Sequence, residues 1–275
     1  MRAVFRTLMP LLALGGALSL AACQSGIANI PVSVDPETGS EANIQSLTDV
    51  IARDPGNAES YNVRGSAFGR AGRYDDAMAD FNRAIELNPN FARAYFNRAL
   101  IYRRDGDAQR ALADYNAAIR ADPRYAPAYV GRGNMYRQNG QLDLAINDYN
   151  AAIQFDRTDP QAFHNRGLVY QARNQHQLAI EDFTVAIGIS PKSPEPYNGR
   201  GLSYLALGDA RTALDDFNDA VKLDRDSYIG WTNQGLALEQ LGEREKANAA
   251  FARAALLNPK YAPARDGMRR TMGSA

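Results

Sequence analysis

The sequence repeats itself every 34 residues, and this period constrains the fold more than any other feature of the chain. Pro55 and Pro89 lie at this spacing, and the same register continues to Pro259 without an insertion. A constant period of about 20 to 50 residues is typical of repeat architectures, in which each unit buries its apolar face against its neighbours. Counting from Ala58 as position 1, the chain contains six full repeats over residues 58–261.

Equivalent positions of the six repeats carry the same kinds of side chain. Positions 20 and 27 are alanine throughout, and position 8 is alanine or glycine. Positions 4, 11 and 24 hold 17 of the 25 aromatic residues, so these rings belong to a core and are not free to stack on nucleic acid. Glycine at position 15 and proline near position 32 predict the ends of two helices in each repeat.

This pattern resembles the tetratricopeptide repeat (TPR) family over about three quarters of the chain. The resemblance implies an all-α fold, a right-handed α-solenoid superhelix of six TPR helix hairpins. Leu47, Val50 and Ile51 occupy second-helix positions of an N-terminal half-repeat, and residues 262–272 read as a C-terminal capping helix. We therefore expect a single solenoid domain over residues 42–275.

Composition and motifs argue against several classes of function. The formal net charge is zero, so the chain has no global field to attract nucleic acid. One cysteine and two histidines are too few for a His/Cys metal cluster. Glycine-rich phosphate loops, GxSxG and HExxH motifs are absent from the sequence. We expect no enzymatic activity, no cofactor, no metal and no nucleic-acid partner.

The N-terminal residues 1–22 have the layout of a secretory signal: two arginines, an apolar run and then small residues. The segment ends in Leu20-Ala21-Ala22-Cys23, which resembles the lipobox of bacterial lipoproteins. The resemblance implies removal of residues 1–22 and lipidation of Cys23, so that acyl chains anchor the protein to a membrane. An ordinary secretory signal with a chance cysteine nearby is the alternative.

The residues after the cysteine predict where the protein lies. By family resemblance, Gln24 in place of an aspartate favours the periplasmic side of the outer membrane over the inner membrane. Residues 24–41 contain turn-forming residues and no helical period, so residues 23–41 are interpreted as the lipidated cysteine and a flexible tether. Such a tether spans about 20–25 Å.

Positions 7 and 23 change together along the chain. Position 7 is arginine and position 23 is aspartate in five repeats, and the sixth has Gln234 and Ala250 instead. In an antiparallel hairpin these positions face each other, which favours a structural ion pair; direct contact of the arginines with a ligand is the alternative. The predicted pairs are Arg64–Asp80, Arg98–Asp114, Arg132–Asp148, Arg166–Asp182 and Arg200–Asp216.

In the TPR family, positions 2, 5, 9, 12 and 13 of the first helices line a concave groove. The resemblance assigns to this groove Arg70, Arg93, Phe96, Arg103, Arg104, Asn134 and Arg137 in a basic N-terminal half, and His164, Leu168, Asn198, Leu202 and Leu236 in a more apolar half. We hypothesise that a peptide with acidic groups or a free C-terminal carboxylate binds near Arg103, Arg104 and Arg137. A solvated basic face is the alternative, and His164 is expected to line the groove rather than bind metal.

The combination of TPR units with a lipobox resembles periplasmic lipoprotein adaptors of the NlpI type, which bring peptidoglycan hydrolases and proteases together. The resemblance implies a non-enzymatic scaffold that holds an envelope protein or peptide near the membrane. A pilotin or pilus-assembly lipoprotein and an accessory subunit of an outer-membrane insertion complex remain alternatives, and a homodimer remains open. The fold by itself does not separate them.

Overall fold

The computed structural model describes residues 39–272, and in this range the chain forms fourteen α-helices and no β-strand. The predictions for residues 1–38, including Cys23, lie outside the described residues. The helices are α1 Glu41–Arg53, α2 Ala58–Arg70, α3 Tyr74–Leu87, α4 Ala92–Arg104, α5 Ala108–Ala121, α6 Ala126–Gln138, α7 Leu142–Phe155, α8 Pro160–Ala172, α9 His176–Ile189, α10 Pro194–Ala206, α11 Ala210–Leu223, α12 Tyr228–Gln240, α13 Arg244–Leu257 and α14 Ala262–Met272.

Consecutive helices pack as hairpins, and the hairpins stack in chain order. Helices α2 and α3 form the first hairpin and α12 and α13 form the sixth, while each second helix also packs against the first helix of the next repeat. Helix α1 packs on α2, and α14 packs on α13. The predicted all-α solenoid of six hairpins with a half-repeat and a capping helix is confirmed.

The turn inside each hairpin requires a left-handed residue at position 15. Five repeats place glycine there, with φ between 72° and 86°. The fourth repeat has Asn174 at φ 58°, which is the side chain that tolerates this conformation best. The fourth repeat, which has no glycine at position 15, therefore keeps the same backbone turn.

The core depends on the close approach of helix backbones to the ring at position 24. Tyr115 and Phe183 are fully buried, and residues of the following repeat press directly on them. A β-carbon placed on Gly131 would lie 2.4 Å from the Tyr115 ring, and one on Gly199 would lie 2.6 Å from the Phe183 ring. Gly131 and Gly199 thus allow the third and fifth repeats to pack closely on the repeats before them.

Candidate functional site: arginine ladder and groove

The arginines of position 7 bind the aspartates of position 23 in the same repeat. In all five cases Nε and Nη2 donate to the two carboxylate oxygens at 2.7–2.9 Å. All five aspartates are buried, and the arginines are half-buried. Two parallel charge-assisted bonds fix the guanidinium plane, which a lysine could not achieve.

The same arginines also bind across repeats, which the pairing of positions 7 and 23 did not predict. The remaining nitrogen, Nη1, donates at 2.6–3.2 Å to an asparagine or threonine at position 25 of the preceding unit. The five acceptors are Thr48, Asn82, Asn116, Asn150 and Thr184. We call the five arginines with their aspartates and these acceptors the arginine ladder.

Every nitrogen of a ladder guanidinium already donates to an acceptor within the protein. The guanidinium carbon of Arg166 also lies 5.8 Å from the ring centroids of Phe163 and Tyr170, within the range of a cation–π interaction. The hydrogen bonds to Asp182 raise the pKa of Arg166, so its charge is permanent. The geometry therefore gives these arginines a structural role.

The groove arginines form two groups. Nη1 of Arg93 donates to Glu59 at 2.9 Å, and Arg104 lies 3.3 Å from the ring centroid of Tyr74 and donates to Asp105 at 3.0 Å. Arg103 and Arg137, by contrast, make no ion pair with any carboxylate in residues 39–272. The three arginines predicted to act together are thus divided, because Arg104 turns toward the first repeat.

Arg137 lies in a polar cluster beneath the groove. The Tyr149 hydroxyl donates to Asn134 at 2.8 Å, and the charge of Arg137 acts on the pKa of the same hydroxyl in the direction that lowers it. Nε of Arg137 and Nδ1 of His164 are buried, and neither atom has a hydrogen-bond partner among the described residues. Burial raises the pKa of Tyr149, so its hydroxyl stays protonated. The cluster combines a guanidinium group with buried polar atoms that have no hydrogen-bond partner among the described residues.

The second repeat shows a similar arrangement one unit earlier. The Tyr115 hydroxyl is buried and has no hydrogen-bond partner in residues 39–272. Burial raises the pKa of Tyr115, while the nearby charge of Arg103 opposes that shift. The rings of Phe96 and Tyr115 lie 6.0 Å apart, so this groove residue covers the tyrosine. Arg103 and Arg137 thus occupy equivalent places in neighbouring repeats.

The C-terminal half of the groove is more apolar. Leu202 and Leu236 are half-buried and pack against the core of the last two repeats. Leu168 is also half-buried, and Asn198 accepts a hydrogen bond from Asn233 at 3.3 Å. Arg70 is exposed at the end of the first helix of repeat 1. The predicted groove residues therefore lie on first helices, but only some of the arginines among them lack a carboxylate partner.

Helix hairpins of this kind, stacked without insertion, define a helical-repeat protein. Tetratricopeptide repeat profiles match the sequence at residues 44–90, 62–126 and 198–264, and again at residues 160–193; a TPR repeat profile matches residues 133–174. A single one of these profiles covers more than half of the chain. The protein belongs to the tetratricopeptide repeat family.

Solved structures share the fold. YrrB, described as "a TPR protein with an unusual peptide-binding site", is 25% identical with a TM-score of 0.57, over 69% of this chain and 97% of YrrB. PilF of Pseudomonas aeruginosa is 17% identical with a TM-score of 0.71, over 80% and 99%. A chain of the APC/C hetero-tetramer Cut9–Hcn1 is 20% identical with a TM-score of 0.73, over 86% of this chain and 47% of its own length, so this protein spans about half of it. A search of curated proteins gave no match.

Two further findings concern residues 39–272 only. In that range the helices are all too short or too polar to cross a membrane. The same residues contain no group of three or more His, Cys, Asp or Glu side chains placed to hold a metal ion.

We expect stability to fall in acid because of His164. Burial and the charge of Arg137 lower the pKa of His164 from 6.5 to about 4. Between pH 6.5 and about pH 4, His164 is protonated in the unfolded chain but not in the folded chain, so the free energy of unfolding decreases as the pH falls. Between pH 7 and pH 5 the unsubstituted protein should lose about 1–2 kcal/mol of its free energy of unfolding through His164, and the His164→Gln variant should not lose this part. Urea unfolding at the two pH values measures the difference. Parallel losses in both proteins would show that His164 does not contribute.

Proposed function

We propose that the protein is a non-enzymatic scaffold that binds a peptide through the groove of repeats 2 to 5. TPR profiles and TPR neighbours support the general role of a protein-interaction scaffold. The observation that carries the proposal is the pair Arg103 and Arg137, whose charges have no carboxylate partner in residues 39–272. A carboxylate of an acidic side chain or a free C-terminus is the complementary group.

The buried polar atoms near Arg137 add to this argument. A buried polar atom without a hydrogen bond costs free energy, so Nε of Arg137 and Nδ1 of His164 favour any ligand that reaches them. A carboxylate would accept charge-assisted bonds from the guanidinium groups. The half-buried leucines further along, Leu168 and Leu202, offer apolar contact for the rest of the peptide.

We expect loss of Arg103 and Arg137 to weaken peptide binding. The probe is an acetylated acidic peptide with a free C-terminal carboxylate, and titration calorimetry measures its affinity. Arg103→Gln/Arg137→Gln should raise the Kd about tenfold or more, because the ligand carboxylate is left without its counter-charge.

The control is the double variant Arg93→Gln/Arg104→Gln, which removes two groove arginines that are already bound to Glu59 and to Asp105. It lowers the net charge equally and should change the Kd by less than about twofold. Equal losses in the two double variants would mean that only overall charge matters, and would contradict the proposed site.

We further propose that Cys23 carries a lipid that holds the scaffold on the periplasmic side of the outer membrane. The lipobox-like Leu20-Ala21-Ala22-Cys23 and the following Gln24 support this location. The scaffold would then hold an envelope protein close to the membrane, as an adaptor for peptidoglycan hydrolases or proteases does. Growth of the cells with labelled palmitate should label the intact protein but not Cys23→Ser. If the intact protein takes up no label, the anchor is wrong.

A further inference from the structure

The sixth repeat opens a cleft where the first five repeats hold a ladder arginine. Gln234 and Ala250 replace the arginine and the aspartate there, and a cavity of about 500 Å³ lies beside them. The amide of Gln234 turns to Asn218 of the preceding repeat and donates to it at 2.7 Å. The side chain of Gln234 thus keeps the hydrogen bond to the preceding repeat. It is too short to fill the space that the arginine guanidinium occupies in the other five repeats. We call this cavity the sixth-repeat cleft.

The floor of the sixth-repeat cleft is apolar and buried. Leu214, Leu238 and Ala250 line it and are buried with exposures of 8%, 6% and 4%. Trp231 forms one wall, and its Nε1 donates to the carbonyl of Arg225 at 2.9 Å, which fixes the indole. A cleft of this volume with a fixed aromatic wall has the size and the chemistry of a site for one or two apolar side chains.

The rim of the cleft is positively charged. Arg211, Lys246 and Arg253 line it together with one acid, Glu243. Glu243 serves two of the cations, Lys246 at 2.7 Å and Arg211 at 4.0 Å. Arg253 reaches only Asp226, at 3.9 Å, whose side chain is 88% exposed. The lining therefore carries an excess of two positive charges on a chain that is neutral overall.

The same changes exclude a basic ligand. In the first five repeats an aspartate at position 23 compensates the charge of the inserted guanidinium. Ala250 offers no such carboxylate at the floor, and the one acid of the rim, Glu243, already binds Lys246 and Arg211, so a ligand cation at the floor would be desolvated without a counter-charge of its own. The rim cations would repel it as well.

We propose that the sixth-repeat cleft is a second binding site, which takes an acidic peptide segment that inserts one apolar side chain beside Trp231. The acidic residues flanking that side chain meet the rim cations Arg211, Lys246 and Arg253. The sixth repeat contributes positions 4, 7, 11 and 23 to the cleft together with rim residues of its second helix, and the fifth repeat contributes Arg211, Leu214 and Asn218. None of these residues is at a groove position 2, 5, 9, 12 or 13. The protein thus binds two segments on different faces of the solenoid, and the second does not depend on the first.

Trp231 is the one tryptophan of the sequence, so its fluorescence reports on the cleft directly. The probe is the peptide Asp-Glu-Leu-Glu-Asp with acetylated and amidated ends, which has no free terminal carboxylate. We expect a saturable change in emission with a Kd below about 1 mM. Replacing the leucine by glycine, or the four acids by lysine and arginine, should weaken binding about tenfold or more.

The decisive variant is Gln234→Arg/Ala250→Asp, which gives the sixth repeat the pair found in the other five. It should fill the cleft, keep the protein folded, and weaken the peptide about tenfold while leaving the groove probe unaffected. No saturable signal from the intact protein up to about 1 mM would overturn the proposal. Equal binding of the glycine peptide, or undiminished binding by the filled variant, would also overturn it.

Discussion

Replacing Asp148 with alanine is expected to lower the free energy of unfolding by about 3–5 kcal/mol. Asp148 is 5% exposed and accepts hydrogen bonds from Nε and Nη2 of Arg132 at 2.8 and 2.7 Å. Its removal leaves a half-buried guanidinium without a counter-ion, which is far more costly than the loss of an exposed ion pair. Urea unfolding followed by circular dichroism measures the change.

The sixth repeat provides the matched control for this experiment. Arg132→Gln/Asp148→Ala copies the natural combination of Gln234 and Ala250, and the introduced glutamine amide can still donate to Asn116 as Gln234 does to Asn218. The double variant should therefore recover much of the stability that Asp148→Ala loses. Additive effects of the two substitutions would contradict a coupled pair.

Gly131→Ala is expected to destabilise the fold by about 3 kcal/mol, at the upper end of the usual cost of overpacking. The added methyl group would lie 2.4 Å from the Tyr115 ring, and that ring is fully buried in the second repeat. Because Tyr115 has no exposed surface, we expect the clash to be relieved by a separation of the two repeats. Chemical denaturation of the variant measures the loss.

Gly69→Ala serves as the comparison, since Gly69 lies in a first helix with nothing within 4 Å of its added β-carbon. There the substitution lowers only the entropy of the unfolded chain, and should stabilise the protein by about 0.5–1 kcal/mol. Opposite signs at Gly131 and Gly69 are the expected result. A loss of similar size at both would mean that helix packing against Tyr115 is not the cause.

The fold was predictable because a strict period fixes which side of each helix faces its neighbours. Ala77 and its equivalents are alanine in every repeat, which predicts a packed position, and all six are fully buried. The pairing of Arg132 with Asp148 could be predicted for the same reason, because both columns change together in the sixth repeat. The bond to Asn116 was missed, although position 25 is also restricted to asparagine or threonine up to Asn218.

The groove was less predictable than the core. The period places Arg93 and Arg104 on the groove positions of the second repeat, but it does not determine the direction of a long side chain. Arg93 binds Glu59, and Arg104 packs on the ring of Tyr74. These neighbours lie in the first repeat, and repeat positions alone do not reveal such contacts. The separation of Arg103 and Arg137 from the other arginines therefore required the structure.

The arginine ladder gives the solenoid a strong end and a weak end. Each ladder arginine ties its own hairpin to the unit before it, beginning with Arg64 and Thr48. The sixth hairpin has Gln234 and Ala250 in place of the ladder arginine and its aspartate, so its two helices lack the ion pair of the other five. The capping helix packs on α13 and is also bound through Arg270 to Glu239 and Asn248 to Thr271, without a ladder arginine. When neighbouring units stabilise each other in a line, opening begins where the coupling is lowest. Under tension the chain would thus unravel from its C-terminal hairpin, while the units nearest the N-terminus stay folded.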